Sequence, residues 1–435
     1  MKKFFYVAAT ALVLVSSANA AIMIDGYIDA GFSSIEGDSL RGPVQAATSV
    51  NGFRNGGAGG SGQPGTAFGN GLAAVPVTEP QAQFNVNEVN LDISADLSDR
   101  MRVFTSWDAT DANSVGAGSL GAITAAGTAG VAPGGTGYSL VADYAYIEWA
   151  QPAGFDINIR LGMVPSVVGV EQRVAESNLT DFATMSLASP YTVGTVEGVT
   201  LSGTWSPINW AVQLSNDDVL GNYSVVSVTG AAGSSINDIQ RPRNSNATTG
   251  SDNEHGRNIA ARIGIVPLEG LEMGVSGWQS RMNGSPLGAA ANGAGTARSD
   301  RSGFGGDIGY TYGALKLGAE YYRVKEDNPT SVGQNNVNTE DEVKAWYVYA
   351  TYDVTDAVTL GARYTESDID VQGALNPFDH DVNTISLLGK YNLTRDVAVK
   401  AQYDINDEQE LSGPITPANP ESSNDAFMFS VVASF

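Results

Sequence analysis

The feature that most restricts this chain is a two-residue period that keeps returning between Ile22 and Phe435. In "FDINIRLGM", Phe155, Ile157, Ile159, Leu161 and Met163 share one parity, and Asp156, Asn158, Arg160 and Gly162 share the other. Successive side chains of a β-strand point to opposite faces, so this segment has one apolar and one polar side. Two architectures use such strands. A sandwich buries the apolar side in a core, whereas a membrane barrel turns it to lipid and its polar side to a water-filled lumen. Similar alternation occurs in "IMIDGYIDAGF", "NEVNLDISADL", "VADYAYIEWA", "NIAARIGIV", "LKLGAEYYR", "AWYVYATYDV" and "AFMFSVVASF". Sixteen such runs can be counted along the chain. Each is about 8–12 residues long, and a tilted strand needs about 9–11 to cross a bilayer.

The links between the runs decide between sandwich and barrel. Short links such as "LSDR", "QPAG", "SPIN", "PLEG" and "LTRD" alternate with long ones rich in Gly, Ser, Asn and Asp, over 34–81, 111–138, 164–194, 216–256, 282–302, 326–342, 368–380 and 407–423. Strict alternation of short turns and long loops predicts an up-and-down barrel. The Greek-key links of a sandwich would mix the lengths. Aromatics on the apolar parity give a second test. Trp149, Phe155, Trp205, Trp210, Tyr312, Tyr352, Tyr391 and Phe435 lie beside short turns, with Tyr310 one step further in. Phe32, Trp107, Phe304, Tyr321, Trp346, Tyr364, Tyr403 and Phe427 lie beside long loops. Two aromatic belts around an aliphatic band match two membrane–water interfaces. The predicted fold is therefore all-β, a transmembrane antiparallel up-and-down β-barrel of about 16 strands. Its lumen is too wide for side chains to fill.

Composition removes other classes. There is no Cys, which excludes disulfides and thiolate chemistry, and the two His, His255 and His380, leave little for His-based sites. A net charge of −24 argues against nucleic acid as a partner. At the N-terminus, Lys2 and Lys3 precede the apolar "FFYVAATALVLVS", and Ala18-Asn19-Ala20 fits a small-x-small cleavage pattern. This predicts an export signal over 1–20 and a mature single barrel over 21–435.

The signal peptide, the strand count and the terminal "FMFSVVASF" resemble a Gram-negative outer-membrane porin. The stretch from Tyr144 to Trp205, with "YAYIEWAQPAGFDINIRLGMVPSVVGVEQRVAESN", resembles the OmpL-like β-barrel porins. The resemblance implies the outer membrane of a Gram-negative bacterium, a lipid bilayer around the wall, and Phe435 as a signal for the outer-membrane assembly machinery. It also implies passive passage of ions and small hydrophilic solutes, no cofactor, no metal and no catalysis, with a homotrimer as the assembly open to it. The "PEFGG"-like constriction motif of trimeric general porins is not found. By the same likeness the third long connector, 164–194, folds into the lumen, and "VEQRVAESN" within it, carrying Glu171, Gln172, Arg173 and Glu176, makes a short helix.

Lumen parity collects a basic ladder of Arg102, Arg160, Arg262, Lys316, Arg363 and Lys400. Opposed to it would stand Glu171, Glu176 and Asp181 on the connector, giving a field across a constriction. Inward acids are numerous too, among them Asp25, Asp29, Glu88, Asp92, Glu272, Asp307, Glu320 and Asp404, and they favour cations. One alternative is a sugar-type channel stacking solutes on the inward Tyr27, Tyr144, Tyr146, Trp278, Tyr322, Tyr347 and Tyr349. Another is an outer-membrane hydrolase using His255 or His380, although no Ser in a nucleophile pattern accompanies them. "GAGSLG" at 116–121 lacks a following helix, and "DINDEQE" at 404–410 offers oxygen ligands for a loop Ca²⁺ site without the spacing such a loop needs.

Overall fold

The computed structural model describes residues 22–35, 81–111, 138–152, 155–174, 176, 178–189, 192, 194–215, 224–229, 235–240, 258–283, 298–329, 338–371, 378–412, 421–422 and 425–435. The expected signal segment, "GAGSLG" and His255 lie outside the described residues. The strands are β1 (Ile22–Ile35), β2 (Gln81–Ser98), β3 (Met101–Asp111), β4 (Tyr138–Ala150), β5 (Ile157–Pro165), β6 (Thr195–Trp205), β7 (Ile208–Ser215), β8 (Ser224–Thr229), β9 (Ser235–Gln240), β10 (Asn258–Leu268), β11 (Leu271–Asn283), β12 (Arg298–Tyr312), β13 (Leu315–Pro329), β14 (Asn338–Asp353), β15 (Val358–Val371), β16 (Phe378–Asn392), β17 (Val397–Ser412), β18 (Glu421–Ser422) and β19 (Ala426–Ser434).

Sixteen of these close into one antiparallel barrel. Neighbours in sequence are neighbours in the sheet, except where the β8–β9 hairpin intervenes and β7 pairs directly with β10. The two-residue β18 only edges β17. Closure comes from β19 pairing with β1, Tyr27 opposite Ser434 and Ile35 opposite Ala426.

The barrel is apolar outside and polar inside. On β10, Ile259, Ile263 and Ile265 are exposed while Asn258, Ala260 and Arg262 are buried. Leu161, Leu214, Val275, Leu360 and Leu387 are likewise exposed, whereas Gln213, Ser276, Glu320, Thr365, Ser386, Lys400 and Gln402 are buried. A protein surrounded by water would invert this arrangement. Around one rim Trp149, Phe155, Trp205, Tyr312, Tyr352, Tyr391 and Phe435 are exposed, and towards the other Phe304, Tyr321, Tyr403 and Phe427. The rings sit where the hydrocarbon ends.

The strands overrun the sequence reading at the long-loop end. The β13–β14 connector spans 330–337 rather than 326–342, and the β15–β16 connector 372–377 rather than 368–380. Beyond the hydrocarbon the hydrogen-bond ladder continues while both faces meet water, so the apolar–polar period fades before the strand does. Two expectations change as a result. His380 lies inside β16, opposite Ile369 and Glu410, not in a loop. Asp404–Glu410 lies inside β17, where Asp404 and Asp407 have opposite parity and cannot wrap one cation. Among the described residues no group of three or more His, Asp or Glu could hold a metal ion.

Candidate functional site

The inward face carries its chemistry where the 166–194 segment meets it. The feet of this segment are tied together by Ser166 N–H donating to Gly194 O at 2.8 Å. The inward Gln213 fixes the start of the segment by donating to Pro165 O at 2.9 Å. From there the chain touches the walls in two places.

The first contact lies on β11, β13 and β14. The amides of Val170 and Glu171 donate to the Glu320 carboxylate at 3.3 Å, and Tyr347 Oη donates to it at 2.9 Å. Gly169 adopts φ 74° and lies so close to Glu320 and Thr192 that a Cβ would collide with both. Only glycine combines that conformation with that approach. Val168 and Ala188 are fully buried against Trp278, Tyr322, Val324, Val343, Ala345 and Tyr347. These rings lie flat because inward glycines leave room, as Gly303 does beneath Trp278 and Gly318 beneath Tyr349. The Trp278, Tyr322 and Tyr347 part of the aromatic surface that could have offered a sugar track is therefore covered by the segment, while Tyr27, Tyr144 and Tyr146 lie on β1 and β4.

The second contact lies on β15, β16 and β17. Lys400 Nζ donates to the carbonyls of Thr180 at 2.7 Å and Phe182 at 3.2 Å. Gln402 accepts from Ala183 N–H at 2.8 Å and donates to Thr184 Oγ1 at 2.7 Å. Arg363 donates to the carbonyl and hydroxyl of Thr184, both at 2.8 Å, with its guanidinium 4.6 Å from the Phe182 ring centre. Thr365 accepts from Leu187 N–H at 2.9 Å. In the ring order, β15 stands eight places from β5 in either direction. The segment therefore reaches the wall diametrically across from its own root.

Charge completes the docking. Asp181 sits between Lys390 Nζ at 2.8 Å and Lys316 Nζ at 3.2 Å. Burial alone would raise this carboxyl; hydrogen bonds and charge from Lys390, then Lys316, outweigh that and hold it below its ordinary 3.8. Arg173 grips Glu272 with two hydrogen bonds of 2.7 and 3.1 Å. Glu272 also meets Arg262 at 3.1 Å, which pairs in turn with Asp307 at 2.6 Å. Among the described residues Glu171 makes no ion pair; it accepts from the Ser186 amide at 2.8 Å and hydroxyl at 2.5 Å, pinning the segment to itself. Burial pushes the Glu171 carboxyl up, against the opposing pull of Arg363 and the Ser186 donors.

The sequence-predicted residues thus divide. Lys316, Arg363, Lys400, Glu171, Arg173 and Asp181 meet at the segment, and Arg262 joins through Glu272. Arg102 and Arg160 do not: Arg102 contacts Ser94 at 2.9 Å and Asp96 at 3.6 Å, and Arg160 contacts Glu148 at 2.5 Å beneath the Tyr146 ring. Glu176 contributes its backbone carbonyl, which accepts from Leu179 and Thr180. The expected helix shrinks to a 3-10 turn at Glu171–Val174. The expected opposition of acids and a basic ladder is replaced by cations that bind the segment's own carbonyls and Asp181. The residues that parity reading passed over are Lys390, Gln402, Glu320 as a backbone acceptor, and Ser186. Lys390 follows Leu388, a buried inward leucine that interrupts the alternation; Gln402 carries no charge to draw notice.

Across from the docked segment, the β1–β5 wall presents Asp25, Asp92, Asp96 and Glu148 against Arg102 and Arg160, all at least partly exposed.

A profile of the family described as "Putative beta-barrel porin-2, OmpL-like" matches residues 49–435. Among solved structures, the chain is similar to the outer-membrane channel DcaP of Acinetobacter baumannii, with 14% identity, TM-score 0.59, and coverage of 96% of this chain and 97% of that one. It is also similar to OmpT of Vibrio cholerae, with 12% identity, TM-score 0.52, and coverage of 96% and 98%. The trimer form of in-vitro folded OmpT gives 12% identity, TM-score 0.52, and coverage of 96% and 99%. At these identities the likeness is one of fold. No curated protein sequence matches the chain.

Proposed function

The chain belongs to the beta-barrel porin-2, OmpL-like family, and from that premise we propose how its channel is narrowed and charged. It is an outer-membrane porin of a Gram-negative bacterium, a water-filled channel for passive diffusion of ions and small hydrophilic solutes. We assign the constriction to the 164–194 connector. The eyelet then lies between this connector and the β1–β5 wall. The observation that carries this reading is the set of hydrogen bonds that Lys400 and Arg363 donate to the carbonyls of Thr180, Phe182 and Thr184, across the ring from β5.

Cation preference follows from the same contacts. The wall cations Lys316, Lys390, Arg363 and Lys400 are engaged by the connector. The facing wall has more carboxylates than cations, so its potential favours positive solutes. The covered state of Trp278, Tyr322 and Tyr347 argues against a sugar track. We further read the lumen as non-catalytic, residues 1–20 as an export signal removed from the mature 21–435 barrel, Phe435 as its assembly signal, and a homotrimer as its assembly.

Planar-bilayer recording tests the core of this reading. Replacing 167–193 by a short Gly-Ser link is expected to raise single-channel conductance several-fold. The wild type is expected to show a cation-selective reversal potential in a KCl gradient. Unchanged conductance would remove the connector as the constriction, and an anion-selective potential would refute the charge assignment.

A further inference from the structure

The lumen wall that faces the docked connector carries an arrangement that net charge does not explain. Register sets two inward rows across β2, β3, β4 and β5. One runs Ser94, Phe104, Tyr146 and Gly162; the next, nearer the short turns, runs Asp96, Arg102, Glu148 and Arg160. Side chains two apart on a strand share a face, so the rows lie side by side on the lumen surface. Along a strand they are about 7 Å apart. The first row is an aromatic shelf. The Phe104 and Tyr146 ring centres lie 5.3 Å apart with the planes at 33°, and both rings are partly exposed. Beyond Tyr146 the row continues through Gly162 and Gly198, without side chains.

The charged row alternates in sign but is unevenly closed. Arg160 and Glu148 meet at 2.5 Å, and the Arg160 guanidinium lies 5.2 Å from the Tyr146 ring centre. That pair is closed on itself and on one side of Tyr146. Arg102 and Asp96 differ. They are 3.6 Å apart, beyond hydrogen-bonding reach, and are 42% and 54% exposed. Among the described residues Arg102 makes one hydrogen bond, to Ser94 at 2.9 Å, from a guanidinium with five donors, and Asp96 has no closer partner. Arg102, Asp96 and Glu148 each stand second or third from a short turn, as Lys316 and Lys390 do where Asp181 docks. The loose pair therefore lies level with the deepest part of the connector, across the lumen from it.

We propose that this wall binds aromatic α-amino acids as zwitterions, an inference that rests on the lumen reading above. The side-chain ring lies on Phe104 and the near edge of Tyr146. The carboxylate takes the unused donors of Arg102, and the ammonium takes Asp96. Both contacts are charge-assisted hydrogen bonds. The arrangement selects this class. An α-amino acid carries opposite charges on one carbon, and directly opposed residues of paired strands hold theirs about 5 Å apart. A sugar offers neither charge, an aromatic amine leaves Arg102 unmatched, and an aromatic carboxylate meets Asp96 as a like charge. The zwitterion has no net charge, so the excess of acids on this wall does not repel it.

Saturation-transfer difference NMR on the folded, detergent-solubilised barrel tests this without relying on conduction. The probes are L-phenylalanine, L-alanine, phenylethylamine and phenylpropionate. The wild type is expected to bind phenylalanine at least tenfold more tightly than each of the other three. F104A/Y146A is expected to bring phenylalanine down to the level of alanine. R102Q should make phenylalanine and phenylethylamine bind alike, and D96N should do the same for phenylalanine and phenylpropionate. Heat-modifiable migration on gels reports that each variant is folded. A wild type that binds alanine as well as phenylalanine, a result that needs no variant, would overturn the proposal. So would equal binding of the three ring compounds, or a phenylalanine preference unchanged in F104A/Y146A. Planar-bilayer recording in KCl alone separates this from failure of the channel reading. A conducting barrel with no phenylalanine preference loses the subsite and keeps the channel, whereas a non-conducting barrel that prefers phenylalanine loses the channel and keeps the subsite.

Discussion

Single residues set how tightly the connector is held. Asp181 serves two lysines, one of them 40% exposed, so its removal should cost less than breaking a fully buried pair. We expect Asp181→Asn to weaken docking by about 1–2 kcal/mol and to release Lys316 and Lys390 to the lumen. Noisier open-channel current and a reversal potential displaced towards anions would report both effects. Acid should reproduce the loosening. A carboxyl held below its ordinary value stabilises above that value and ceases to do so as pH falls through the lowered one. The wild-type current should therefore stay quiet through mildly acidic buffers and become noisy only below about pH 3.8. Asp181→Asn should show no such transition when pH is varied across the same range. Glu171 behaves differently, because burial already disfavours its charge. Glu171→Gln should dock almost normally, keeping an acceptor for the Ser186 amide. Glu171→Ala should lose roughly 1–3 kcal/mol by leaving buried donors unmatched. Protease protection of the connector would rank the three proteins.

At the scale of the element, each strand is a strip with two solvents. Ile263 and Arg262 are adjacent on β10, the first exposed to lipid and the second paired with Asp307. Ile263→Arg should cost about 2–4 kcal/mol, whereas Tyr312→Arg in the aromatic rim should cost only about 0–1 kcal/mol. Urea titration of the lipid-embedded barrel measures both, and equal costs would contradict the assigned depths. This two-sidedness made the strands legible in the sequence. Ile157, Ile159 and Leu161 alternating with Asn158 and Arg160 need no partner to declare their faces. Strand ends were less legible, since Lys344 opposite Asp368 outside the hydrocarbon carries no apolar alternation. The connector was legible only as a length and a family likeness. Its path is set by carbonyls of Thr180 and Phe182 finding Lys400, some 220 positions away. Backbone acceptors are the same in every residue, so no local pattern announces such a contact. Gln402 and Lys390 had the right parity but not the expected charge or rhythm.

For the molecule as a whole, the inside-out distribution requires lipid, and the closed ladder leaves no long edge exposed. The last residue takes part in this closure. Phe435 exchanges backbone hydrogen bonds with Gly26 at 3.0 and 3.3 Å, and its ring is 64% exposed at the rim. Phe435→Ser should leave the fold's contacts largely in place yet lower the amount of heat-modifiable barrel recovered from the outer membrane. Full recovery would show that the ring is only one more anchor in the belt. The joint between first and last strands sets a temporal order as well. Tyr27 waits for Ser434, 407 positions downstream, before its second neighbour exists. Nascent β1 is thus condemned to travel half-bonded, and the loop entropy of so remote a meeting falls due at the end. Escort of an unfinished chain is therefore part of what this cylinder demands of the cell that makes it.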